Sequence, residues 1–563
     1  MNKTVSPIVV EIIRNALNSA AHEMNNCLAR SAFSPLIYEM KDCSVGIFDT
    51  DGEMLGQSAG LPIFLGNLDI CIKILNEKVG LENYKEGDLY IMNDSYMQGT
   101  HVGDFTSVSP IFYNGQLVGF TATRAAMLDV GAKAPGGVID STDIYQEGIR
   151  IPPVKLYDGG VLREDVLDFI ALNSRFHAAM KGDIGAQIAA SRTGEKRFCE
   201  ILDRFGPDVV KEATKEIFRQ AEALDRKFVE SIPDGEYYAE GYLDNDNCDL
   251  EHHVKVCAKV IVQGDEMTVD LTGSNPATRG AVNCGFAQTI AAARVAFKEL
   301  SYPEGPICGG NFRNLNVIVP PKSIFAAEEP APCQWYFSSL GLLIDMLVKA
   351  LAEVVPDKAS GAHYGDSMVV FFYGTNPKRG NEFFTSCEAT VGGWGGFKGG
   401  DGENALINMV NGDFKNLPVE FVEHKYPLEV QCYKIRQDSE GAGRFRGGCG
   451  VVRQYKVNTD DCAIGTWFER SVTPAWGLLG GQDAQPPVVI INPDTDEEMR
   501  VMKAADLHIK RGTVVRLLTG GGGGYGDPRE RDPDSIRSDV ENGYISPVRA
   551  EKVYGWSRDT DEG

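Results

Sequence analysis

The chain has 563 residues, 43% hydrophobic and 24% charged, with a formal net charge of −24 from 55 basic and 79 acidic side chains. That length allows several domains of roughly 100–200 residues, each with its own core. An acidic surface repels phosphate backbones and anionic membranes, no stretch approaches the roughly 20 apolar residues of a membrane span, and the 13 scattered cysteines form no Cys-x-x-Cys pair. The expectation is a cytoplasmic protein without nucleic-acid or membrane partners, and without a visible signal peptide.

Ser6-Pro7 signals a helix start, and Val9, Ile13, Leu17, Ala20, Met24 and Leu28 follow at helical spacing. A hairpin pattern comes next, with strands at 44–48 and 53–57 and Asp42 just before the first. Leu89 to Met92 reads as a buried strand. It runs into Asn93-Asp94-Ser95-Tyr96-Met97-Gln98-Gly99-Thr100-His101-Val102-Gly103-Asp104, where one imidazole, carboxylates and carboxamides crowd a strand mouth. Such crowding suits a binding or reaction site. A second hairpin turns at Asn114-Gly115 and returns through Leu117 to Thr123, towards Asp129-Val130-Gly131.

Residues 160–232 read as helical, and Pro233-Asp234-Gly235 as a turn at a domain boundary. Strands are expected at 237–243, 254–263 and 266–271, and helices at 288–300 and 342–355. From about 385 glycine dominates, in clusters at 391–402, 441–450 and 520–526. None is a phosphate loop, which needs Gly-x-x-x-x-Gly-Lys-Ser/Thr. These glycines suit positive φ angles or close backbone approach instead. The fold class is mixed α/β (α+β) and multi-domain, with several mainly antiparallel sheets and packed helices. Its regions are 1–233 with the candidate site loop, 234–385, and a β-dominated 386–563.

An imidazole and a carboxylate three residues apart, His101 and Asp104, suit zinc, manganese or iron, and Asp42 and Asp129 fall at strand ends of the same sheet region. Asp94 and Asp129 are candidate general bases. His252-His253 sits in strand context with its rings facing opposite ways. Gly56-Gln57-Ser58-Ala59-Gly60 has the spacing of a nucleophile elbow, but Gly60 and Pro62 oppose the helix that such an elbow requires.

The chain resembles the hydantoinase B family, the B-type subunits of N-methylhydantoinases, 5-oxoprolinase-like enzymes, caprolactamase and acetone or acetophenone carboxylases. The resemblance spans Pro7 to Ala16, Asn93 to Asp104, Asp129-Val130-Gly131, Ser141-Thr142-Asp143-Ile144-Tyr145-Gln146-Glu147-Gly148, Asp270-Leu271-Thr272-Gly273-Ser274, Gly443 to Gly448 and Gly520 to Pro528. It implies a hetero-oligomer in which a hydantoinase A-like partner binds ATP and phosphorylates a carbonyl or amide oxygen. This chain would then direct attack by water on a cyclic amide or, in a ketone carboxylase, by an enolate on carbon dioxide. A non-catalytic scaffold is the third reading. The resemblance also implies a divalent metal, zinc or manganese, on Asp42, His101 and Asp104. Metal-bearing relatives commonly add a histidine where this chain reads Arg124-Ala125-Ala126, so Ala126 leaves the set one ligand short.

Overall fold

The computed structural model describes residues 5–557. A seven-stranded sheet forms its first layer. The strands run in the order Met54–Gln57, Cys43–Phe48, Gln116–Ala126, Asp104–Tyr113, Leu89–Met92, Val154–Asp158 and Val161–Leu162, every pairing antiparallel. The turn of its longest hairpin has φ of 50° at Asn114 and 76° at Gly115. Two successive positive φ values match the twist of a tight hairpin, which explains the Asn-Gly pair.

Both faces of this sheet are covered, so its central strands are buried almost without interruption, their serines and threonines included. On one face Val45, Ile47, Ile111 and Ala125 pack with the helices Pro7–Ser31, His177–Phe205 and Pro207–Glu230. On the other, Phe48, Met92, Val108 and Phe120 pack with the helix Leu68–Val79. The buried stripe of the first helix begins at Val10, with Val9 only half-buried.

The second sheet orders Leu315–Ile318, Glu266–Asp270, Val254–Gln263 and Gly235–Leu243, with one parallel pairing, between the first two. The helix Tyr336–Leu351 packs on its strands Gly235–Leu243 and Val254–Gln263 and beside the helix Phe286–Leu300. Two further antiparallel sheets complete the fold. One orders Glu382–Ala389, Val369–Asn376, Cys462–Trp467 and Lys503–Ile509; the other Leu428–Ile435, Val451–Val457, Val514–Leu518, Val488–Ile491 and Met499–Val501. One apolar core runs from the second sheet through both of these. The boundary expected at 385 falls inside the strand Glu382–Ala389. His252 and His253 lie in the turn ahead of Val254 rather than within the strand, because Asp249 caps that turn through the backbone N–H groups of Glu251 and His252.

The glycine clusters pack backbone on backbone. The segment Gly520–Gly524 runs through the middle and bonds in several directions. Gly393 donates to the Gly520 carbonyl, Gly441 to Gly522, Gly396 to Gly523 and Leu478 to Gly524, while Gly522, Gly523 and Gly524 donate to Gly448, Ala362 and Gln482. Sheets bond in two directions only; this arrangement works because no side chains intervene. A Cβ on Gly522 would lie 1.9 Å from the Trp394 carbonyl oxygen, and one on Gly447 would lie 1.8 Å from that of Gly522. Most of these glycines therefore serve close approach, and positive φ is confined to a few such as Gly399 and Gly526. Among the described residues no helix is long and apolar enough to cross a membrane.

Candidate active site

The strand Leu89–Met92 delivers Asn93 into a fully buried position. Its amide donates to the carbonyls of Val102 and Ile149 at 2.6 and 2.8 Å, and its oxygen accepts the Ile151 N–H at 2.5 Å. This pins both ends of the loop that follows. Asp94 caps the short helix Ser95–Gln98 by accepting the Tyr96 N–H at 3.0 Å. Gly99 ends that helix at φ 91°, where a Cβ would lie 2.5 Å from the Gln288 nitrogen. Gln98 is the strut beneath the loop. Its amide donates to Thr100 Oγ1 and the Asp104 carbonyl at 2.9 and 2.6 Å and accepts from Thr106 Oγ1 at 2.7 Å.

The loop presents His101 and Asp104, and the sheet brings Asp42 to them. Cys43 pairs with Ala125 and Asp104 with Ala126, while the Ala126 N–H donates to the Asp42 carbonyl at 3.1 Å. Asp42, Asp104 and Ala126 thus lie side by side at the ends of three adjacent strands. His101 Nδ1 is 3.5 Å from Asp104 Oδ2 and accepts the Gly103 N–H at 3.0 Å, so the neutral ring carries its proton on Nε2. Tyr336 closes the site from the second sheet's helix. Its hydroxyl donates to Asp104 Oδ2 at 3.5 Å, and its ring meets the His101 ring edge-on, centroids 5.6 Å apart. Glu147 sets that helix. It accepts the Ser141 hydroxyl at 2.7 Å and the N–H groups of Cys333 and Gln334 at 3.0 and 2.9 Å, just ahead of Tyr336. The Ser141–Gly148 motif is therefore a clasp between the first sheet and the Tyr336 helix.

Burial governs the charges here. It pushes His101 down to about 4, so the ring is neutral near pH 7. It pushes Asp104 up to about 7, against the Arg124 cation and hydrogen bonds from Thr100 and Tyr336. Burial, and then the Asp104 charge, hold Asp42 well above the ordinary carboxylate range. Asp42 Oδ1 and Asp104 Oδ1 are buried without any hydrogen-bond partner. Such oxygens are costly unless something shares them. Arg124 lies behind them, fully buried, and spends its guanidinium on neutral acceptors, Thr106 Oγ1 at 2.8 Å, Asn67 Oδ1 at 2.6 Å and Cys71 Sγ at 3.0 Å.

The donor set suits a divalent cation in kind: two carboxylates, each with a bare oxygen, and a neutral imidazole. Among the described residues no three His, Cys, Asp or Glu side chains are gathered tightly enough to hold an ion as they stand. Ala126, beside Asp104, offers only a methyl group.

Asp129 and Asp94, the candidate bases, are committed elsewhere. Asp129 is buried and accepts Arg175 Nη1 at 2.6 Å and the Arg175 N–H at 2.5 Å. Asp94 holds its helix cap and lies 3.6 Å from Arg150 Nε. Neither bonds to His101, Asp42 or Asp104. Ser58 is 2% exposed and bonded to His22 Nδ1 at 3.0 Å, and coil rather than helix follows it. Burial pushes the Cys43 thiol up to about 12, which leaves no thiolate near pH 7. Tyr336 had no local signal in the sequence, since its helix lies more than two hundred residues from the loop. Arg124 did have one: it is the single charge in the strand Gln116–Ala126.

A family model described as hydantoinase B/oxoprolinase matches residues 6–528. The B-type chain of a putative D-/L-hydantoinase from Pseudomonas sp. (strain NS671) is 32% identical over 98% of this chain and 95% of that protein. The beta chain of caprolactamase from Pseudomonas jessenii is 31% identical over 98% and 96%. The crystal structure of ATP-dependent caprolactamase from Pseudomonas jessenii superposes with a TM-score of 0.92 at 29% identity, covering 100% of this chain and 98% of that one. The chain belongs to the hydantoinase B/oxoprolinase family, and its helices and mainly antiparallel sheets are that family's multi-domain α/β fold.

Proposed function

We propose that the chain is the B-type subunit of an ATP-dependent hydrolase of cyclic amides such as hydantoins or lactams. It acts after a hydantoinase A-like subunit has phosphorylated the amide oxygen. The observation that carries this reading is the group of Asp42, Asp104 and His101, with two bare, buried carboxylate oxygens beside a neutral imidazole. Similarity to the B-type chain of a hydantoinase and to the beta chain of caprolactamase supports it, since those names belong to cyclic-amide hydrolases.

An amide carbon is a poor electrophile until its oxygen is phosphorylated. Water then adds to that carbon, and Asp104, titrating near 7, takes the water's proton on Oδ1. The ring C–N bond breaks and the nitrogen leaves with the proton that Asp104 took from water, while the neutral His101 ring steadies it through its Nε2–H; a second water then cleaves the acyl phosphate to a carboxylate and inorganic phosphate. Arg124 offsets the negative charge that builds in the pocket, and Tyr336 and Gln98 hold Asp104 and the loop in place. Asp42, His101 and Asp104 are also the residues that would hold zinc or manganese. Such an ion would lower the pKa of water and polarise the phosphorylated group.

ATP belongs to the partner in this reading. The glycine clusters that could have cradled phosphates are occupied with one another's backbones. The test is reconstitution with an A-type subunit and assay of ATP-dependent hydantoin or lactam opening. Turnover is expected only with both chains present, and it should vanish in His101→Ala and Asp104→Asn. Undiminished turnover in both variants, or a requirement for bicarbonate, overturns the proposal.

A further inference from the structure

A cleft of about 640 Å³ opens where three parts of the chain meet. The strand Met54–Gln57 and the loop after it form one wall. The end of the helix Phe286–Leu300, with the segment to Arg313, forms the second. Trp394, Met409 and Gly412 of the glycine-rich region form the third. Ligand sites favour such junctions, and this volume lies in their usual range.

Asp42, His101 and Asp104 are not among the residues that line the cleft. The helix Phe286–Leu300 starts against the site loop, where the Gly285 N–H donates to the Gly99 carbonyl at 3.4 Å. Lys298 and Glu299, on the cleft wall, lie at its other end, about 20 Å along the helix axis at roughly 1.5 Å of rise per residue.

Most charges on the cleft walls are satisfied. Arg294 grips Asp69 through two bonds of 2.8 and 3.1 Å, Lys73 reaches Glu53 at 2.9 Å, and Arg313 reaches Glu222 at 3.2 Å. Two charged groups, adjacent in sequence, are not. Glu299 receives one long bond, from Ser360 Oγ at 3.3 Å, and its Oε2 is buried without a partner. The nearest charge acting on it is another acid, Asp345, which His363 and Arg470 already hold at 2.5 and 3.0 Å. Lys298 is 9% exposed and stands 5.5 Å from the Tyr302 ring. Among the described residues no carboxylate lies within 4.0 Å of it. Asp225, the acid that acts on it from further off, is committed to Asn311 and the Phe312 N–H. Burial pushes Glu299 up to about 8 and Lys298 below the ordinary lysine range. An opposite charge brought from outside would relieve both. Between and around them the wall is apolar: Met54, Leu65, Ile307, Phe312, Trp394 and Met409.

We propose that this cleft binds an amino-acid zwitterion, with its ammonium on Glu299 over the face of Trp394, its carboxylate on Lys298 and its side chain on the apolar wall. The site goes beyond the hydrolase reading and does not depend on it. Because the walls come from three regions, a bound ligand ties them together and stabilises the folded chain.

The test is a thermal-shift screen of the full chain against the protein amino acids, followed by calorimetry on those that stabilise it. At least one free amino acid should bind. Its N-acetyl and methyl-ester derivatives, and the Glu299→Gln variant with the free amino acid, should each bind about tenfold more weakly or worse. His101→Ala should bind it unchanged, which separates this site from the other. No stabilisation by any amino acid overturns the proposal, as does equal binding of the N-acetyl form to the wild-type chain, a comparison that needs no variant to fold.

Discussion

Asp104 stands directly opposite Ala126 across the ladder between the strands Asp104–Tyr113 and Gln116–Ala126. Cross-strand partners of this kind bring their Cβ atoms to about 5 Å. The methyl of Ala126 therefore occupies the place from which a longer side chain would reach the bare Asp104 Oδ1. Ala126→His puts an imidazole there. Its expected effect is to raise zinc or manganese affinity at least about tenfold, since each added ligand is a direct bond. Metal content after dialysis, measured on the wild-type chain and the variant, checks this; equal content would contradict it.

Asp104 and Asp129 should behave oppositely on mutation. Asp129→Asn leaves the Arg175 guanidinium without its buried partner, which should cost about 3 kcal/mol of stability. Turnover per folded molecule in the reconstituted complex should stay within a few-fold. Asp104→Asn should keep or raise stability, because a buried, poorly solvated carboxyl is lost, while turnover falls at least about a hundredfold. Chemical unfolding and a turnover assay on the same preparations decide between the two.

Glu299 has a stability signature of its own. Its folded pKa is raised to about 8 from 4.5, so the folded chain binds this proton more tightly than the unfolded chain does. The stability it contributes is full below about pH 4.5 and is lost as pH rises towards 8. Glu299→Gln cannot lose it. Relative to the wild type, the variant should gain about 3.5 kcal/mol between pH 5 and pH 8. Urea unfolding at both pH values measures the gap, and parallel pH curves would remove the group from consideration.

Gly522→Ala tests the backbone-packed hub. The added Cβ meets the Trp394 carbonyl oxygen at 1.9 Å, and the Gly448 N–H already bonds that oxygen. Relief requires moving whole segments rather than turning a side chain, so a loss of about 4 kcal/mol or outright insolubility is expected. Gly512→Ala, a positive-φ turn glycine with open space around it, should cost only about 1 kcal/mol. Thermal melts of the two side by side measure the difference.

Local features were legible in the sequence wherever one element controls its own pattern. The first helix, the strand Leu89–Met92 and the Asn114-Gly115 hairpin follow from spacing and turn chemistry alone. The helix Tyr336–Leu351 starts six residues before the expected 342, because nearly every residue in it is buried and no polar face marks its periodicity. The return strand runs past Thr123 to Ala126, since the Asp42 carbonyl continues its bonding. Asp42, His101 and Asp104 were readable as candidates from loop and strand-end positions. Arg124's neutral cradle and Tyr336's approach depend on partners 57 and 232 positions apart, which no local pattern encodes.

The glycine segment at 520–524 also orders events in time. The segments that bond to it lie around 362, 393–396, 441–448 and 478–482, and all of them leave the ribosome before it does. Their carbonyls and amides stay in water until this late segment arrives, so the glycine hub cannot lock before it is made. A truncated chain ending before residue 520, released from the ribosome, should be cut freely by protease between 390 and 480, and the full chain should resist.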